Sequence, residues 1–164
     1  MNVVLENLIE SLRNELQQYG EMLALLDHQQ ELVALQRTED ILQSLSAIDI
    51  QSAAIQAARA NRQLAQHNLA EKLEPGVRAT FVSLIPKLPE PYRPLVTALV
   101  QENNELLMRV RQRAQQSHVH LRHSLEMMQR FITTLPSHET TVLSREQGTI
   151  APVEAGLSLY EAIV

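Results

Sequence analysis

Three histidines crowded into one short stretch, His118, His120 and His123, are the side chains best suited to chemistry. In a helix His120 and His123 lie one turn apart, and Glu126 follows one turn later. A His-His-Glu stripe is therefore a geometric option for zinc. A catalytic zinc requires three protein ligands and an open position, and this spacing matches no established zinc motif. The alternative is a solvated polar helix face, and the expectation is no metal and no cofactor. Arg109, Arg111 and Arg113 form a basic cluster, with Glu102 and Glu105 just upstream. No aromatics back it, so pairing with an acidic helix fits better than a phosphate track, and nucleic acid is not an expected partner. Glu6 and Glu10 could pair for acid–base work, but on the outer face of a helix such charges serve solvation. The chain has no cysteine, so it has neither a thiol nucleophile nor a disulfide. It has no nucleophile elbow, and its four glycines, at 20, 76, 148 and 156, form no phosphate loop. No enzyme is expected.

The elements that carry these residues are long helices. Leu5, Leu12, Tyr19, Leu26 and Val33 recur every seven residues, with Ile9, Leu16 and Leu23 four after the first three. This spacing predicts a helix over about Asn2 to Gln36, roughly 50 Å long, that must bury its seam against other long helices. Gly20 is its weak point. Thr38-Glu39-Asp40 reads as a helix restart, although no Pro or Gly forbids continuation. A second helix is predicted from Glu39 to Leu73. Its early face is Ile41, Leu42, Leu45, Ile48 and Ile55, and its later face is the Ala-rich set Ala53, Ala54, Ala57, Ala58 and Ala60, which gives little burial. Glu74-Pro75-Gly76 ends it. A short helix over Val77 to Ile85 precedes an extended connector holding Pro86, Pro89, Pro91 and Pro94. The third long helix runs from Pro94 to Leu135. Val100, Leu107, Ala114, Leu121, Met128 and Leu135 keep a period of seven, and Val96, Val110, Leu125 and Ile132 widen the stripe.

The fold class is therefore all-α: a long antiparallel bundle of about three main helices, a short extra helix and an irregular C-terminal tail. The expected domains are a bundle over residues 1–136 and a tail over 137–164, cut by Pro136. The tail scatters Val142, Leu143, Ile150, Val153, Leu157, Leu159, Tyr160, Ile163 and Val164 among polar residues, without a long period. Leu157, Tyr160 and Val164 share a face if the end becomes helical. Such a segment either folds on a partner or packs on its own bundle.

The formal net charge is −5, which disfavours general affinity for nucleic acid. Residues 1–58 carry nine acidic and two basic side chains, and residues 59–136 carry six acidic and eleven basic. That asymmetry suggests helices meeting through complementary flanks. No basic-then-apolar leader and no run of 18 apolar residues is present, so a soluble cytoplasmic protein without membrane insertion is expected.

Several segments together resemble the FlgN family of flagellar export chaperones. They are Leu-Ile-Glu-Ser-Leu-Arg-Asn-Glu-Leu at 8–16, Tyr-Gly-Glu-Met-Leu-Ala-Leu-Leu at 19–26, Gln-Glu-Leu-Val-Ala-Leu at 30–35, the stretch around Arg62, and Glu-Asn-Asn-Glu-Leu-Leu at 102–107. The similarity covers about residues 3–135. It implies a small acidic helical protein of the bacterial cytoplasm that holds hook-associated proteins, FlgK and FlgL, before type III export, with the export apparatus as a further partner. It also implies that the C-terminal region binds the client. Many members carry a Tyr a few residues before a Gly there. Here the Gly is Gly148, and Val142-Leu143-Ser144 stands where the Tyr is expected, leaving Leu143 as the apolar anchor. The client-binding residues this implies, joined to the apolar face of the tail, are Val142, Leu143, Gly148, Ile150, Leu157, Tyr160 and Val164. The competing reading is a structural coiled-coil adaptor without chaperone activity.

Overall fold

A computed structural model describes residues 2–76 and 79–134, apart from the side chain of Phe131. The elements are α1 (Asn2–Ala34), α2 (Thr38–Leu73), the single-turn α3 (Phe81–Leu84), two 3-10 turns (Ile85–Lys87 and Glu90–Tyr92) and α4 (Arg93–Thr134). The described residues contain no strand, and the fold is an all-α bundle.

The first helix does stop. Gln36 adopts φ 55°, and its N–H donates to the Val33 carbonyl at 3.1 Å while the Arg37 N–H reaches back to the Leu32 carbonyl at 3.1 Å. This pair of reversed bonds closes a helix C-terminus through one left-handed residue. The helix α2 opens one residue before the expected Glu39, with Glu39 and Asp40 in its first turn, where carboxylates suit the helix dipole. Arg37 pairs with Asp40 at 2.6 Å across that start. At the far end Gly76 takes φ 86°, a conformation that disfavours any side chain. Thr80 then caps α3: its backbone is extended and its hydroxyl accepts from the Ser83 N–H. The short helix is thus four residues long, and the connector that follows is 3-10 turn rather than extended chain. Arg93 begins α4 and donates from Nε to the Leu88 carbonyl at 2.8 Å.

The chain packs as two compact units. The first joins α1 up to Met22 with Gln51 to Arg109. Its core is Leu5, Leu8, Ile9, Leu12, Leu69, Leu88, Val96 and Leu99, with Phe81, Ile85 and Tyr92 packed against it. The second joins Leu23–Ile50 with α4 from Val110 onward. Leu26, Leu32, Leu45, Ile48, Val110, Ala114 and Leu121 are buried there.

Along α1 the sevenfold row is buried as expected at Leu5, Leu12, Tyr19 and Leu26, and half-buried at Val33. The companion row differs. Ile9 is buried but Leu16 and Leu23 are only half-buried, and the row that stays buried is Leu8, Glu15, Met22 and Gln29. The fully closed row therefore contains a carboxylate and an amide, which an apolar pattern cannot register. On α4 the row Val96, Asn103, Val110 and Ser117 is closed, while the expected sevenfold row is buried at Ala114 and Leu121, half-buried at Val100 and Leu107 and exposed at Met128.

Each buried polar group on α1 is matched within its unit. The Glu15 carboxylate pairs with the Arg62 Nε at 2.9 Å and accepts from the Tyr19 hydroxyl at 2.8 Å. Burial, reinforced by that carboxylate, pushes the Tyr19 phenol well above its ordinary range, so the ring stays a donor. The Gln29 amide donates to the Ser44 hydroxyl at 3.0 Å. Asn103 donates to the Leu12 and Leu99 carbonyls at 3.0 and 2.9 Å.

Candidate partner-binding site

All seven residues expected to bind a partner, Val142, Leu143, Gly148, Ile150, Leu157, Tyr160 and Val164, lie outside the described residues, as does the 137–164 tail. The helix that leads into them is described, and it changes character along its length. Val110, Ala114, Ser117 and Leu121 are buried. Beyond Leu121 no described side chain up to Thr134 is buried. Leu125 and Ile132 are half-buried, while Met128 is 50% exposed and Met127 59%.

The cause lies in the lengths of the neighbouring helices. Arg113 pairs with Asp27 at 2.7 Å and donates to Gln30 at 3.2 Å, which fixes the level of α4 against α1. Only a few residues separate Gln30 from the Gln36 turn, while α4 runs on for twenty-one residues after Arg113. At 1.5 Å per residue, α4 outlasts α1 by roughly 20 Å. Leu121, Leu125, Met128 and Ile132 keep heptad spacing through that stretch. An apolar stripe of this spacing can take an amphipathic helix, and methionine adapts to partners of different shape. The heptad was legible beforehand, and so was an end of the first helix near Gln36, with unbroken continuation as the open alternative.

The sequence candidates for other chemistry fall in the same helix. His120 and His123 are exposed and His118 is half-buried. Glu126 pairs with Arg122 at 3.7 Å in an exposed contact between successive turns. Among the described residues no three His, Asp or Glu side chains converge as a metal site. Of the arginine cluster, Arg113 meets the acidic first helix through Asp27, in line with the charge asymmetry, and Arg109 is exposed. The Ala-rich face of α2 is open to solvent at Ala53, Ala57 and Ala60, with Leu64 60% exposed, while Ala58 is buried. No described helix is long and apolar enough to cross a membrane.

Comparison with known proteins gives one family. The model of the FlgN family, described as FlgN protein, matches residues 1–147. Curated proteins yield no match, and neither do solved structures. The chain belongs to the FlgN family, and the role this carries is that of a flagellar export chaperone.

Proposed function

From its membership of the FlgN family, we propose that this chain binds hook-associated proteins of the FlgK and FlgL kind in the cytoplasm and keeps them soluble for type III export. The observation that carries the reading is the stripe Leu125–Met128–Ile132. It continues the buried heptad of α4 past its last buried residue and leads directly into the apolar residues of the 137–164 segment. Clients of this kind expose apolar helical stripes of their own, which self-associate unless covered. Covering them needs a complementary surface and no bond making or breaking, so catalysis, cofactor and metal have no part in this role. Val142, Leu143, Gly148, Ile150, Leu157, Tyr160 and Val164 extend the contact beyond α4, and the export apparatus receives the complex.

The test is a light-scattering assay of a purified hook-associated protein, with and without the chain. Suppressed self-association, together with a complex that dissociates on dilution, supports the proposal. A complex that persists in the finished filament marks a structural adaptor instead.

A further inference from the structure

The start of the connection between α2 and α4 meets the Arg62 guanidinium. Arg62 receives the Glu15 carboxylate at its Nε at 2.9 Å. It donates from Nη1 to the Gln66 side-chain oxygen at 2.8 Å and lies over the Phe81 ring at 5.8 Å. Gln66 in turn donates to the Ala79 carbonyl. The pair is well removed from water, with side-chain exposures of 17% for Arg62 and 4% for Glu15. Glu15 is on α1, yet through Arg62 it meets both anchors of the segment that starts at Ala79. That segment contributes Leu88 to the core of Leu5, Leu8 and Leu69, packs Phe81 and Ile85 against it, and buries Leu84.

We propose that Glu15 is a positioning residue for the connection from Ala79 to Tyr92: it orients the Arg62 guanidinium, and the guanidinium fastens the segment over the end of the core. A guanidinium offers several donors in a fixed plane, so fixing Nε fixes where Nη1 and the ring-stacking face point. An ammonium at the same place would keep the charge and lose the fork. The order of the connection thus depends on α1 and α2 being paired at Glu15, although Glu15 makes no hydrogen bond to the connection itself. The other fastenings, Lys87 with Glu74 and Arg93 Nε with the Leu88 carbonyl, act on the later part of the segment.

Native-state hydrogen exchange on the full chain tests this. The reporters are the amides of Leu84, bonded to the Thr80 carbonyl at 3.0 Å, and Leu88, bonded to Ile85 at 3.2 Å. The reference is the α4 amides around Leu99 in the same unit. Arg62→Lys and Glu15→Gln should each speed exchange at Leu84 and Leu88 by roughly tenfold or more, with the reference amides changing by less than about threefold. The double variant should do no more than either single one, because both act through the same contacts. Lys87→Gln, which removes an exposed pair, should stay within about twofold at Leu84. Reporter and reference amides that accelerate in step would overturn the proposal, since Glu15 would then be stabilising the unit as a whole. Unchanged exchange at Leu84 would overturn it equally. If Glu15→Gln does not fold, Arg62→Lys decides by the same criteria.

Discussion

Two consecutive stretches of α4 share a heptad and differ in everything else. From Val110 to Leu121 the inward positions are buried, and they include the polar Ser117. From Arg122 to Thr134 the same period continues and no described side chain is buried. Burial is a property of the neighbours a stripe meets, not of the stripe. Where the α1–α2 hairpin is alongside, the seam tolerates even a serine whose hydroxyl finds no partner. Past the end of the hairpin, a chemically more apolar set, Leu125, Met128 and Ile132, remains available to something else. A seam that outruns its own bundle is the feature expected of a protein whose task is to lend an apolar face to another chain.

The contrast can be broken most forcefully at Val110. It is fully buried, so Val110→Asp should destabilise the fold by on the order of 3–5 kcal/mol, the range for an unpaired buried charge. Leu107, half-buried, is the milder position. Denaturant melts showing a loss under about 1 kcal/mol for Val110→Asp would mean that the closed part of the seam is not closed.

Next in size is Glu15→Ala, which strands a largely buried guanidinium and should ease local opening of the Ala79–Tyr92 connection by about 1–3 kcal/mol. Hydrogen exchange at Leu84 and Leu88 checks it, and a loss of the same size in chemical denaturation of the whole unit would contradict it. A smaller effect of opposite sign is expected at Gly20. A methyl group built there meets nothing within 4 Å, so Gly20→Ala should raise stability by about 0.5–1 kcal/mol through helix propensity. A lower melting temperature would show that this part of α1 needs the freedom of glycine. The smallest expected change in stability sharpens the comparison from the open side. Met128→Asp should alter stability by no more than about 0.5 kcal/mol while weakening the complex with a hook-associated client. A variant that unfolds as readily as Val110→Asp would put Met128 in the core.

The long periods of α1 and α4 made the helical class and the two breaks legible. A seven-residue repeat kept over four heptads or more admits no other reading, and Pro75-Gly76 ends a helix on steric grounds. The exact buried row was not legible. Glu15, Gln29 and Asn103 occupy closed positions with a partner at hand in Arg62, Ser44 or the Leu12 carbonyl, whereas the Ser117 hydroxyl is closed off without one. Those partners lie 15 to 91 residues away in sequence, beyond any local pattern. The turn at Gln36 was ambiguous because glutamine occupies a conformation usually marked by glycine. Thr80 escaped notice as a cap because the helix it starts is a single turn. For the candidate site, the stripe on α4 was legible as a stripe, whereas its exposure at Met128 was not, since exposure depends on which neighbours lie alongside.

The central claim is that the client docks on the open end of α4 and the residues that follow it. Calorimetric titration of the full chain, and of the chain ending at Leu135, against the same FlgK- or FlgL-type protein tests it most directly. The account predicts that the shortened chain keeps its cooperative melt and loses affinity by roughly tenfold or more, with alanine at Leu143 or Ile150 in the full chain each costing about 1–3 kcal/mol. Equal affinities for the two chains would contradict it, and would confine the client to the residues up to Leu135.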